Sequence, residues 1–335
     1  MASAAPHNPA PDRGDPLHVA LHRQLLQRRK VLAEAIGQMP EFKIAQLLHE
    51  VDSALERFAT GQYGICERCD ETVEDERLLA DPLTRVCLCE LTKQQIALLE
   101  RDLMLAAQIQ SRLLPRRELR CDGWGVAHHY RPLGLVSGDY CDLVMAADNQ
   151  LYFMLGDVAG KGVAASLLMS NLSAIFRALV PIGLPLGELM KRANRIFAAS
   201  TLPNQFATLI CGRTLRGGVE LCGAGHVPAL LVNGDEVTEI ASQGLPMGLY
   251  CEQEFTSAAY EVAPGGSLVL FSDGVSESHA ADEEYGYGRI AAAAVNSRGQ
   301  SPAEMVANCM RDLECFLGGE AVFDDQTLMV VQRSV

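Results

Sequence analysis

From residue 17 the apolar positions fall at helical intervals, and beyond residue 124 they fall in short unbroken runs. The stretch "LHVALHRQLLQRRKVLAEAIGQMPEF" is rich in strong helix formers, and Gly37 and Pro40 predict its break. A second helix carries Ile44, Leu47, Val51, Ala54 and Phe58 at alternating three- and four-residue steps. That is one apolar stripe, fitting a helical hairpin, a short coiled coil or an ordinary amphipathic helix. A third helix is predicted from about Leu91 to Leu114, with Pro115 ending it. Within it Ile96, Leu99, Leu103, Ala106, Gln110 and Leu113 form a seam with one polar position, Gln110. Such a seam suits a homodimer, or a stripe packed on the chain's own downstream domain.

Past Trp124 come β-like runs, among them "LVMAA", "LYFML", "FATLICG" and "SLVLF", with "AADNQ" reading as a hairpin turn. Helical patterns intervene at 162–179, 186–200 and 302–317. Hairpins with inserted helices indicate an α+β fold and not alternating βαβ units. Four segments follow: a Pro/Ala-rich disordered tail (1–16), a helical hairpin with a cysteine cluster (17–90), a linking helix (91–118) and a catalytic-type domain (119–335).

Composition narrows the picture. With 48% hydrophobic residues the 335-residue chain can fill a large core, and its formal net charge of −14 disfavours direct nucleic-acid binding or an anionic membrane partner. The first residues lack the apolar segment of a secretory signal, and no uninterrupted apolar run approaches the ~20 residues of a membrane span. Eleven cysteines then read as free thiols and metal ligands in a cytoplasmic protein.

Cys66 and Cys69 form a C-x-x-C knuckle, and Cys87 and Cys89 follow after seventeen intervening residues, a spacing that suits one structural zinc ion. "GQYGICERC" and "ERLLADP" resemble the zinc finger of the DksA/TraR family, over roughly 21–99. That family's second pair is also C-x-x-C; here it is C-x-C, with Glu90 where the last cysteine should stand and Asp70 where a glycine is usual. Cys89 could ligate after a local backbone shift, Glu90 could supply an oxygen as the alternative fourth ligand, or the finger could hold its fold without metal.

Four aspartate words recur beside apolar runs: "SGDYCD" (Asp139, Asp142), "LGDVAGKG" (Asp157), "FSDGVSES" (Asp273) and "FDDQT" (Asp324, Asp325). An Asp beside Gly is usually a turn residue, but strand ends converging on one rim would gather carboxylates into a hard oxygen site for Mg²⁺ or Mn²⁺. "GDVAGKG" is not a Walker loop: Lys161 is followed by Gly162, and the glycines are one step too close.

These words, with "AAQIQSRLLP", "FATL", "GAGHVPALL", "GLPMGL", "YGYGR" and "FDDQTLMVV" in order, resemble the SpoIIE/RsbU-type branch of metal-dependent PPM Ser/Thr phosphatases. The resemblance implies a sandwich of two antiparallel sheets flanked by helices, with two Mn²⁺ or Mg²⁺ ions at one edge. By position Asp157 would bridge both metals, the Val158 carbonyl would complete the first site, and Asp273 and Asp324 would hold the second. Asp139 would ligate or lie beside the metals and orient an attacking water. Together Asp139, Asp157, Asp273 and Asp324 are the implied catalytic set.

Neighbouring residues read more plainly. His226 is expected as a structural hydrogen-bonder more than a general acid, Asp142 as solvated or outside the ligand sphere, and Asp325 as placing a water. Glu277 could reach the second metal's surroundings, Lys161 reads as an exposed loop lysine that could attract phosphate, and Cys141, Cys211 and Cys222 as core residues. The resulting expectation is a cytoplasmic protein phosphatase acting on a phosphoprotein such as an anti-sigma-factor antagonist, with an N-terminal sensory or docking module. The rival is an RNA-polymerase-binding regulator of DksA/TraR type with a secondary phosphatase half.

Overall fold

The computed structural model describes residues 16–38, 42–89, 93–146, 149–202, 205–281 and 283–335. The tail before Pro16, Pro40 and Glu90 lie outside these residues. Helices α1 (Pro16–Gln38) and α2 (Phe42–Thr60) pack along one another through Leu21, Leu25, Leu32, Ile44, Leu47 and Val51. α1 ends at Gln38, one residue past Gly37 and before Pro40, where these two helix breakers were expected to interrupt it. The cysteine segment follows with the short α3 (Asp75–Ala80), and then α4 (Lys93–Ser111).

The rest is a four-layer sandwich. In chain order it comprises β1 (Glu118–Cys121), β2 (Trp124–Arg131), β3 (Asp139–Met145), β4 (Leu151–Val158), α5 (Gly162–Leu179), α6 (Leu186–Ala198), β5 (Ala207–Leu215), β6 (Gly218–Ala224), β7 (Ala229–Asn233), β8 (Glu236–Ile240), β9 (Ala258–Glu261) and β10 (Ser267–Phe271). α7 (Asp273–Ser276), β11 (His279–Ala280), β12 (Glu283–Glu284), α8 (Gly286–Asn296), α9 (Pro302–Leu317) and β13 (Gln326–Arg333) complete it. One antiparallel sheet has the order β1-β2-β13-β10-β7-β8, the other β3-β4-β5-β6-β9.

Strand alternation explains the layering. Leu151, Phe153 and Leu155 of β4 face the core between the sheets, with Ile210, Leu270 and Met329. Tyr152 and Met154, one step out of phase, face α5 and α6. β4 therefore reads as one apolar run because both its faces are buried. α8 and α9 cover the other sheet through Ile290, Met305 and Leu313. Gly162–Ile182 is long and apolar enough by composition to cross a membrane; in this fold Leu168, Met169, Leu172 and Phe176 are buried against the five-stranded sheet.

Two expectations change here. Gln110 is no register residue of a coiled-coil seam: it is buried, with Nε2 donating to the Ser137 carbonyl at 2.7 Å and Oε1 accepting from Ser137 N–H at 3.0 Å. The C-terminal end of the predicted seam thus turns onto the chain's own sandwich. The outward row is Leu98, Leu105 and Ile109, which are 58%, 56% and 57% exposed. Asp142 is not solvated either: it is fully buried, and Arg177 of α5 donates to it from Nε at 2.8 Å and Nη2 at 3.0 Å. Three residues from Asp139 on a strand, it must point to the opposite face.

Arg177→Met should therefore destabilise the chain by about 3 kcal/mol, the low end for stranding a buried charge, because Asp142 has no water to turn to while Arg177 itself is partly exposed. Chemical denaturation gives the value; a change under about 1 kcal/mol would show that Asp142 is held by other groups.

Candidate active site

Both sheets deliver carboxylates to one rim. Asp139 opens β3 and is the cross-strand partner of Asp157 in β4, which in turn faces Thr208 in β5. From the other sheet, Asp273 begins α7 directly after β10, and Asp324 and Asp325 precede β13. A Cβ on Gly274 would lie 2.0 Å from the Asp325 carbonyl oxygen and 3.0 Å from the Asp324 Cβ, so only glycine lets these two turns meet.

Hydrogen bonds stitch the rim across the sheets. Asp325 accepts from Leu133 N–H at 2.7 Å and from Gly138 N–H at 3.1 Å. Its carboxylate thus shapes the turn into Asp139, where the sequence suggested a role on water. The Thr327 hydroxyl donates to Asp139 Oδ2. Lys161, expected on an exposed loop, is instead largely buried, with Nζ 3.0 Å from Asp324 Oδ1. The loop after β4 turns it inward, where acidic neighbours stabilise its charge.

The electrostatics follow from burial. Asp139 and Asp157 are held well above the usual carboxylate range, first by burial and then by the other carboxylates; for Asp139 the Thr327 bond opposes the shift. Asp273 is pushed up to about 7 by burial and by Asp324, against the pull of Lys161. Glu277 is pushed up to about 8 by burial and Asp273. Lys161 is raised despite its burial because Asp324 favours the ammonium. His226 goes the other way, to about 4, because burial disfavours imidazolium. Its Nε2 sits 3.0 Å from the Phe271 carbonyl, which can only accept, so Nδ1 accepts from the Thr208 hydroxyl at 2.8 Å. Both ring nitrogens are used in structure, as its position at a Gly-rich turn suggested.

This donor set fits hard divalent cations. All the ligand candidates are oxygens, and their crowded negative charge has too few cations beside it. Gly138 keeps the space open: a Cβ there would stand 2.9 Å from the Val158 carbonyl oxygen and 3.3 Å from Asp157 Oδ1. The carboxylates are nevertheless less tightly gathered than the thiols. Among the described residues, the cysteine quartet is the one group whose ligand atoms all lie within 4.8 Å of one another. Two of the carboxylates have protein partners of their own, Asp324 with Lys161 and Asp139 with Thr327.

Cys66, Cys69, Cys87 and Cys89 make that quartet, so the C-x-C pair does bring its second sulfur to the cluster. Backbone N–H groups of Cys87 and Arg68 donate to Cys66 Sγ at 3.3 and 3.4 Å, and they lower its thiol to about 6. Burial and the neighbouring thiols raise Cys87, as crowded sulfurs must, so of these two it is Cys66 whose thiolate the amides favour. Cys141, Cys211 and Cys222 are buried in the sandwich as expected.

Several residues were missed by the sequence reading. Thr327 stands two residues beyond Asp325, in phase to return to the rim, a signal that strand alternation could have supplied. Gln24, Gln27 and Arg28 of α1 line the same cavity as Asp157, Asp273 and Asp324, and nothing local in the sequence announces that.

The comparisons agree with this fold. The family model described as Prokaryotic dksA/traR C4-type zinc finger matches residues 61–95. Phosphoserine phosphatase RsbU of Bacillus subtilis (strain 168) is 23% identical over 92% of this chain and 85% of its own length. Protein IcfG of Synechocystis sp. is 23% identical over 70% of this chain, which spans only 42% of that relative. Among solved structures, the SiaA-PP2C domain of Pseudomonas aeruginosa superposes with a TM-score of 0.62 at 18% identity, covering 72% of this chain and 99% of that domain, a likeness of fold. The family model for Stage II sporulation protein E (SpoIIE) matches residues 147–334, more than half of the chain, which therefore belongs to the SpoIIE family.

Proposed function

We propose that the chain is a metal-dependent protein-serine/threonine phosphatase whose metals are held by Asp139, Asp157, the Val158 carbonyl, Asp273 and Asp324. The observation that carries this is the convergence of one buried and three half-buried carboxylates, from both sheets, on a rim that Gly138 and Gly274 keep open. When bound, two divalent cations, Mn²⁺ or Mg²⁺, supply the charge that activates water and neutralises phosphoryl oxygens. The chain's own residues supply position. Thr327 fixes the Asp139 carboxylate, and Asp325 fixes the turn leading into it. Lys161 holds Asp324 and adds a positive charge at the rim where a phosphoryl group would sit. His226, neutral and doubly bonded, braces β5 against β10 and has no nitrogen free for proton transfer.

The substrate is a phosphoserine- or phosphothreonine-bearing regulatory protein, an anti-sigma-factor antagonist being the type the family resemblance suggests. RsbU, named a phosphoserine phosphatase, supports this reading. The setting is cytoplasmic, consistent with eleven free thiols. Residues 17–90 form a zinc-bearing docking or sensory module, 91–118 a linking helix and 119–335 the phosphatase. The RNA-polymerase reading rests on the finger alone: the apolar face of the α1–α2 hairpin is spent on this chain's own core, which favours regulation in cis. The outward row Leu98, Leu105 and Ile109 on α4 takes a second copy of the chain, at coiled-coil spacing.

Hydrolysis of a phosphoserine protein should require Mn²⁺ or Mg²⁺ and stop with chelator, and Asp157→Asn should lower kcat by at least ~100-fold. Near-normal turnover in that variant, with metal still required, would remove Asp157 from the site. Protein purified without chelator should carry about one zinc per chain by elemental analysis, lost in Cys66→Ser; no zinc in the parent chain would mean a finger held by its apolar contacts. Sedimentation should find a dimer at micromolar concentration that Leu105→Glu dissociates; a monomeric parent chain would end the pairing idea.

A further inference from the structure

The N-terminal helix lies over the catalytic rim. Gln24 Nε2 donates to Asp324 Oδ2 at 3.5 Å, and Gln27 Nε2 donates to the Glu277 carboxylate. One turn on, the Arg28 guanidinium lines the same cavity, in the field of Asp81, Glu50 and, more weakly, Asp157, its cation 5.8 Å from the Phe206 ring centroid. Gln24, Gln27 and Arg28 share one helical face. That face and the carboxylates line one open cavity of about 470 Å³. Such a volume admits a small phosphate ester, but a phosphoserine on a protein must bring its flanking chain, and α1 occupies that approach.

The helix is also held by its leucines. Leu17, Leu21 and Leu25 share one apolar cluster with Cys66, Val73 and Leu78 of the cysteine segment and with Phe206 and Leu249 of the sandwich. The same segment grips the catalytic loop, where Lys161 N–H donates to the Ala80 carbonyl at 2.5 Å.

We propose that α1 is an inhibitory strap that closes the rim to phosphoproteins by setting Gln24 and Gln27 against Asp324 and Glu277, with Arg28 beside them in the same cavity, and that the cysteine segment holds it shut. This rests on the phosphatase reading. The strap competes with the chain that flanks a phosphoserine: the α1 face fills one side of the cavity beside Asp324 and Glu277, while a small ester needs only the space that remains. A chain populating the open form only fractionally shows activity reduced by that fraction, and weakening the strap restores it.

The test uses the full chain with Mn²⁺ and two probes, p-nitrophenyl phosphate and phosphorylated casein, alongside hydrogen–deuterium exchange across α1. In Gln24→Ala/Gln27→Ala, exchange over α1 should quicken, and the rate on casein should rise at least about tenfold, against less than about threefold on the small ester. Should alanine leave α1 exchange unchanged, Arg28→Glu sets like charge against Glu50, Asp81 and Asp157 and supplies the displacement. Equal casein rates in parent and variant, with α1 exchange quickened, would overturn the strap and leave the phosphatase reading standing. No hydrolysis of either probe by any form with metal would overturn the phosphatase reading, and the strap with it.

Discussion

A crowd of buried carboxylates at one end of a sandwich is the constraint on which the rest depends. Asp139 and Asp325, buried, and Asp157 and Asp273, half-buried, repel one another where water screens them poorly, and each is driven toward its protonated form. Such a cluster survives folding only where other contacts over-determine it. Here those contacts are visible: the antiparallel ladder that sets Asp139 beside Asp157, amides aimed at Asp325, the Thr327 hydroxyl, and Lys161. Metal at such a rim would relieve stored repulsion, so affinity for cations and instability of the bare site have the same origin.

The same negative field explains why a cationic, amide-rich helix face settles there. Gln and Arg side chains are the donors that crowded carboxylates lack, and the α1 face supplies three of them on adjacent turns. Apolar packing of the adjoining leucines against the cysteine segment fixes the helix axis, so side chains need only reach, not search. The zinc-type cluster contributes on the far side: its sulfurs order a segment too small to build a core of its own.

Local signals were legible in the chain before any coordinates. The helices at 162–179 and 302–317 stand where periodicity placed them, because Pro302 with the Ser301–Glu304 capping box and Gly318 punctuate the second so strongly. The aspartate words marked the rim because each sits where an apolar run ends. α8 was hidden because its opening "GYG" looks like a turn, although the alanine run behind it is a strong helix former. Burial of Lys161 and Asp142, the turning of Gln110 onto Ser137, and the approach of α1 to the rim were not legible. Each depends on contacts between distant parts of the chain, Gln24 and Asp324 being 300 residues apart. Periodicity found a stripe on α4, but it could not say which side of the stripe meets a neighbour.

The bond from Lys161 N–H to the Ala80 carbonyl also bears on how such a chain can be assembled from parts. A cysteine segment attached by a tether could be exchanged freely among enzymes, because nothing in the recipient would need to match it. This one meets the loop that follows Asp157 at backbone level, and a Cβ on Gly162 would stand 3.2 Å from the Ala80 Cβ. Sequence drift on either side of that seam is coupled: a bulkier residue at position 80 shifts the loop carrying Lys161, and a new loop conformation strands the Ala80 carbonyl. Transplanting the finger onto another sandwich would therefore carry over its metal chemistry but lose its grip, and the two halves of this chain are expected to vary together as one inherited unit.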